Sequence, residues 1–187
     1  MFKKIIYALT LFLFLFSNNV KSKERTLMIM KLKYGEVKIE LYDEIAPNHV
    51  KRIKDLADAG KYDGVAFHRV IDGFMAQTGD VKFGNTNTEF NSQMVGTGGS
   101  DFPDLKAEFN NVPHQRGTLS MARAQSPDSA NSQFFICFDS HPFLDRNYTV
   151  FGKVTSGMEF VDKIKRGVPG SGAVSNPDII VSFRSAK

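Results

Sequence analysis

A chain of 187 residues, 42% of them apolar, has enough material for one domain with a sizeable core. Twenty-four Lys and Arg against 20 Asp and Glu give a formal charge of +4, but Lys3, Lys4 and Lys21 fall in the first 22 residues, which hold no acid, so the remainder carries three less, or +1. With no basic stretch interleaved with aromatics, this argues against nucleic acid as a partner, and the single cysteine, Cys137, rules out an internal disulfide.

Those first 22 residues read as a secretory signal peptide. Lys3 and Lys4 make the charged start, residues 5–16 an apolar core of twelve, and Val20 and Ser22 place small residues at the −3 and −1 positions of a cleavage site. A membrane span needs about 20 apolar residues, well beyond this core. The expectation is cleavage before Lys23, an exported domain over residues 23–187, no stable membrane insertion afterwards, and the periplasm as destination.

Residues 26–33 then read as a strand and Tyr34-Gly35 as a turn. Residues 36–41 alternate charged and apolar with period two, a half-buried strand pairing back as a hairpin. Pro47 opens a helix with Val50, Ile53, Leu56 and Ala57 on one face, and Gly60 closes it. Residues 65–70 and 74–80 return to strand. From 81 to 111 Gly, Asn, Thr and Ser dominate, predicting a long surface loop, which is uncommon in a compact domain unless it is functional. Residues 117–123, 132–138 and 149–154 read as strands. Residues 158–166 form a short helix, acidic early and basic late in accord with the helix dipole, ended by Gly167; residues 178–183 are the last strand. Many short strands with only two helices indicate an all-β barrel and not alternating βαβ units.

The most informative stretch is residues 67–80, FHRVIDGFMAQTGD. It sets Arg69 on a short β-prone run, turns, and returns with Phe74, Met75 and Gln77. Alternation sends Phe67, Arg69 and Ile71 to one face, and His68 and Val70 to the other. One permanent cation and one amide thus stand beside aromatic and thioether surface with no evident nucleophile. Such a site suits polarisation in an apolar pocket and no covalent step. Residues 131–138, NSQFFICF, add a second aromatic strand, followed by Phe143-Leu144-Asp145 and by VFGKV at 150–154. No Gly-x-Ser-x-Gly elbow occurs. His49, His114 and His141 are scattered without HxxxH or HExxH spacing, so no metal site is expected, and His68 reads as a hydrogen-bonded structural histidine.

In that order, these blocks resemble the cyclophilin family of peptidyl-prolyl cis-trans isomerases, from about residue 28 to residue 182. The resemblance implies a closed eight-stranded antiparallel barrel with a helix covering each end, and a reaction without cofactor. It places Arg69, Phe74, Met75, Gln77, Gly96, Ala122, Arg123, Ala124, Gln133, Phe135, Phe143, Leu144 and Tyr148 in the family's substrate groove. The implied partners are proline-containing segments of unfolded or exported proteins, and a monomer is the default. Four positions depart from the best-known eukaryotic pattern: Thr78 for Gly, Arg123 for Asn, Phe143 for Trp and Tyr148 for His. The last three are similar to bacterial members, and Phe143, which lacks the indole N–H of Trp, predicts weak binding of cyclosporin-type inhibitors.

The chemistry follows from the bond. An Xaa–Pro amide rotates against a barrier of about 18–20 kcal/mol because resonance must be broken. Twisting localises the lone pair on the prolyl nitrogen, which becomes a hydrogen-bond acceptor, and Arg69 offers a rigid, always charged donor for it. Phe74, Met75, Phe135 and Leu144 suit the compact apolar ring. Gln77 and the backbone near Arg123 can hold the peptide, with Tyr148 at the rim. Taken singly, Phe74 and Phe135 fit a barrel interior better and Arg69 a solvated edge charge; the motif reverses this. The rival reading is a catalytically silent cyclophilin-like module that binds proline peptides, with or without a chaperone role. The intact set Arg69, Phe74, Met75, Gln77 and Phe135 favours an active isomerase.

Overall fold

In a computed structural model, which describes residues 25–186, the period-two pattern becomes a hairpin of β1 (Leu27–Leu32) and β2 (Gly35–Leu41). The signal peptide and the start at Lys23 lie outside the described residues. Met28, Met30 and Leu32 on β1, and Val37, Ile39 and Leu41 on β2, are buried, as the alternation requires. The loop is Lys33-Tyr34, one residue earlier than expected. Gly35 opens β2 where a Cβ would stand 2.5 Å from the Phe160 ring.

Helix α1 (Pro47–Asp58) buries His49, Val50, Ile53, Leu56 and Ala57. Its own N-cap, Ala46, has no side chain for the free N–H groups, and Glu108 supplies one from 60 residues away. Its carboxylate accepts from the backbone N–H of Asn48 (3.2 Å) and of His49 (3.1 Å). At the other end Gly60 adopts φ +74°, its N–H bonds Ala57 O at 2.9 Å and the Lys61 N–H bonds Leu56 O at 2.9 Å, a Schellman closure.

The remaining strands are β3 (Arg69–Ile71), β4 (Met75–Thr78), β5 (Gly84–Asn85), β6 (Glu89–Phe90), β7 (Thr118–Met121), β8 (Phe134–Cys137), β9 (Val150–Ser156) and β10 (Ser182–Ser185). A short 3-10 turn, Pro142–Leu144, and helix α2 (Met158–Val161) complete the fold. Eight strands form one antiparallel sheet in the order β10-β1-β2-β9-β7-β8-β4-β3.

The sheet curls into a half-barrel, so the expected closed barrel is slightly overstated. No ladder joins β3 to β10. The seam is made by single bridges, Ala66 to Ile179 and Arg69 to Ala173, and by the Phe67 N–H on Asp178 O at 2.8 Å. Residues 178–180 of the strand expected over 178–183 are drawn into this seam, the Val181 N–H donates to Lys31 O on β1 at 2.8 Å, and the ladder with β1 starts at Ser182. Helix α2 is also shorter than expected. Arg166 donates from Nη1 to the carbonyls of Asp162 (3.0 Å) and Ile164 (2.6 Å), capping the chain where the helix was expected to continue. The loop over residues 81–111 holds the small β5–β6 hairpin, too short for alternation to reveal.

Phenylalanines and Tyr62 fill the interior. Phe134 is fully buried, edge-on to Tyr62 at 5.6 Å and to Phe151 at 5.9 Å, with Phe183 at 6.2 Å. Phe134→Ala should therefore lower unfolding free energy by about 3–5 kcal/mol, read as a shift in the urea midpoint at unchanged slope. A shift below about 1 kcal/mol would show that this cluster is not the keystone of the core.

Candidate active site

β4 and β8 divide their side chains between two apolar bodies. Ala76, Phe134 and Ile136 enter the main core. Met75, Phe135 and Cys137, with Leu144 from the 3-10 turn, form a separate cluster on the other face, joined by Ile71, Phe74, Ala122 and Tyr148. β8 is apolar on both faces for this reason, and Phe135 does not fill the barrel. Cys137 belongs to this second cluster, and burial pushes its thiol pKa up to about 12, which keeps it protonated.

Sheet register brings the polar groups to this cluster. Arg69 pairs with Gln77 across β3–β4, and Gln77 pairs with Phe135 across β4–β8. The half-buried Arg69 donates from Nε to Ser171 O (3.2 Å) and from Nη1 to Gln77 Oε1 (3.4 Å). Among the described residues nothing takes its Nη2. Gln77 Nε2 donates to Gln133 Oε1 at 3.0 Å, and Gln133 Nε2 donates to the carbonyls of Gly96 (2.9 Å) and Gly98 (2.7 Å). Each amide therefore fixes the orientation of the next, so that an oxygen faces Arg69.

Two expectations around Arg69 are corrected. Phe67 does not share its face: it lies in the main core with Val70, because residues 65–68 leave the ladder to bond Gly84 O and Asp178 O. His68 is buried under Gly96, where a Cβ would stand 3.4 Å from its ring, and neither ring nitrogen has a hydrogen-bond partner among the described residues, so packing holds it. Burial lowers its pKa, which keeps the ring neutral.

Gln77, Gly96, Ala122, Arg123, Ala124 and Gln133 border a groove of about 570 Å³ beside the second cluster. Phe143, on the 3-10 turn, is 67% exposed, its ring 5.7 Å from Phe74 and 5.7 Å from His141. Tyr148 stands edge-on to Phe135 at 5.9 Å. Phe74, Met75, Ala122, Phe135, Leu144 and Tyr148 thus share the second cluster, Phe143 packs on Phe74, and Arg69 joins the groove residues through its hydrogen bond to Gln77.

Sequence reasoning missed several supports. Ser171 anchors Arg69 from a Gly-rich C-terminal loop whose composition is its only signal. Asp80, fully buried, accepts the backbone N–H groups of Gly96 (2.7 Å) and Gly98 (2.9 Å), and of Lys82 and Phe83. His114 stacks on Phe135 (6.1 Å, 17°), contacts Asp145 at 2.9 Å through Nδ1 and Ser120 Oγ at 3.0 Å through Nε2. That pins the turn carrying Phe143 and Leu144. Among the described residues no three His, Cys, Asp or Glu side chains gather as a metal site would require.

These pairs contribute to the acid stability. Burial holds His49 and His114 below the ordinary histidine pKa, so both fold neutral, whereas the unfolded chain protonates them below about pH 6.5. The unfolded state then binds more protons, and stability falls as pH drops through that value. Asp145 is held below the usual carboxylate range by the backbone N–H and ring of His114. Glu108 is raised by burial but lowered further by hydrogen bonds from His49 and Asn48. Their contribution is present above about pH 4 and is lost as pH falls through their folded values. Tm should rise with pH from about 4 to a plateau above about 7, with His114→Gln flattening the step near pH 6. A Tm falling with rising pH over this window would contradict the assignment.

Comparison with known proteins agrees with the geometry. Residues 27–185 match the family described as cyclophilin type peptidyl-prolyl cis-trans isomerase/CLD. The chain is 61% identical over 155 residues to a probable peptidyl-prolyl cis-trans isomerase of Brucella suis, covering 82% of this chain and 79% of that one. It is 42% identical over 135 residues to peptidyl-prolyl cis-trans isomerase B of Bacillus subtilis, covering 71% and 85%. A solved structure of a Cryptosporidium parvum cyclophilin type isomerase, in the presence of the dipeptide Ala-Pro, superimposes with a TM-score of 0.73 at 28% identity, covering 86% of this chain and 99% of that one. A curled eight-stranded sheet with a polar amide row beside an apolar pocket, and this match over nearly all described residues, place the chain in the cyclophilin-type peptidyl-prolyl cis-trans isomerase family.

Proposed function

We propose that this isomerase turns over Xaa–Pro bonds by a non-covalent mechanism centred on Arg69, with exported proteins in the course of folding as its substrates. The proline ring enters the pocket of Phe74, Met75, Phe135 and Leu144. Gln77 and the backbone near Arg123 hold the flanking peptide, and Arg69 donates to the prolyl nitrogen as it turns pyramidal. A rate factor of ~10⁵ requires about 7 kcal/mol. One charge-assisted hydrogen bond in a partly dry site supplies about half, and holding the substrate supplies the rest.

The observation that carries this reading is the position of Arg69. Ser171 and Gln77 anchor its guanidinium beside the apolar cluster, and Nη2 has no partner among the described residues. The Ala-Pro dipeptide present with the similar Cryptosporidium structure supports a proline ligand here. Titration of the isotope-labelled protein with an Ala-Pro peptide tests the site: shifts should concentrate at Gln77, Phe135 and Ala122. Shifts confined to another surface would remove the groove assignment.

Export rests on the signal-like residues 1–22. No described helix is long and apolar enough to cross a membrane. Mass spectrometry of the protein recovered from the periplasm should find Lys23 as the first residue; recovery only with Met1 intact would overturn the export reading.

A further inference from the structure

Arg123 stands at the groove, yet its charge is not turned toward a substrate. Nε and Nη2 donate to Asn147 O at 3.2 and 3.0 Å, and Nη1 donates to Ala124 O at 3.0 Å and to Gln125 O at 3.1 Å. A guanidinium has five N–H groups, and four bonds are already committed to three backbone carbonyls. Those carbonyls belong to two different segments, residues 122–129, which line the groove, and residues 145–148, which carry Tyr148 of the second apolar cluster. Neither segment belongs to a strand or helix. The guanidinium carbon also sits 4.7 Å from the centre of the Tyr148 ring, which is the ring that stands edge-on to Phe135.

We infer that Arg123 is a positioning residue that locks the two rim segments together and so sets peptide affinity, without taking part in rotation of the bond. Two exposed loops with no ladder of their own sample many conformations when untied, and a peptide that needs their backbone groups must order them on binding. Arg123 makes that ordering a property of the free protein. The 122–129 segment is tied a second time within itself, by the Ala124 N–H on Ser129 Oγ at 2.9 Å. The 145–148 segment is tied by His114 to Asp145. Between these two ties, the guanidinium is, among the described residues, the side chain whose hydrogen bonds cross from one segment to the other. A planar fork is needed for this: an ammonium has no rigid plane to meet Asn147 O from two nitrogens while reaching Ala124 and Gln125, and it stacks less well on a ring.

The inference rests on the groove being the peptide site, which the titration of the wild-type protein decides independently. Arg123→Asn and Arg123→Lys are compared with wild type on an Ala-Pro peptide for KM and kcat, and by amide hydrogen exchange at Ala124, Gln125, Asn147 and Tyr148. Both variants should raise KM about tenfold with kcat within about twofold, and exchange should quicken in both segments together. A fall in kcat at unchanged KM would assign Arg123 to the reaction step and overturn the inference. Unchanged KM would overturn it too, as would faster exchange on one side of the rim only.

Discussion

Arg69→Ala is expected to reduce turnover of the Xaa–Pro bond by at least about a hundredfold, near 2.7 kcal/mol of barrier, while changing peptide affinity little. The hydrogen bond to nitrogen forms only in the twisted state, so its loss appears in kcat. The planar substrate is held instead by Gln77 and the apolar pocket. Arg69→Lys should recover part of the rate, since an ammonium keeps the charge but not the fork that also reaches Ser171 and Gln77. Stability should change little, because the side chain is half-exposed and its two protein hydrogen bonds, at 3.2 and 3.4 Å, are long. A variant with a near-normal exchange rate would refute the mechanism, and one that unfolds would make Arg69 structural.

Phe143→Trp is expected to tighten a cyclosporin-type inhibitor about ten- to a hundredfold. The larger ring adds apolar contact at about 25 cal/mol per Å², near 1 kcal/mol in all, and the indole N–H adds a hydrogen bond of about 0.5–1.5 kcal/mol. Phe143 is 67% exposed, so the substitution extends into solvent without disturbing the core. The chain has no tryptophan, so the new indole also reports binding directly by fluorescence. Unchanged affinity would show that the rim does not determine inhibitor strength.

Local pattern carried most of this fold. The hairpin of β1 and β2 follows from strict alternation, and α1 from Pro47, its apolar face and Gly60, because those signals act within a few residues of one another. What escaped was set by distant partners. Glu108 caps α1 from a loop that reads only as polar, and Asp178 lies in a seam that takes the first part of the expected final strand. Phe67 lies off the expected face because strand alternation applies only within a ladder, and the ladder begins at Arg69. The family was legible because the motifs are long. The amide row was not: nothing local places Gln133 between Gln77 and the Gly96 and Gly98 carbonyls, or aims Arg123 at Asn147.

The most direct measurement is two-dimensional exchange spectroscopy on a short Ala-Pro peptide with substoichiometric wild-type and Arg69→Ala protein. Wild type should produce cross-peaks between the cis and trans resonances at mixing times where the peptide alone shows none, and the variant should lose them while still shifting the peptide signals. Peptide binding to the wild type without exchange cross-peaks would contradict the mechanism and leave a proline-binding module.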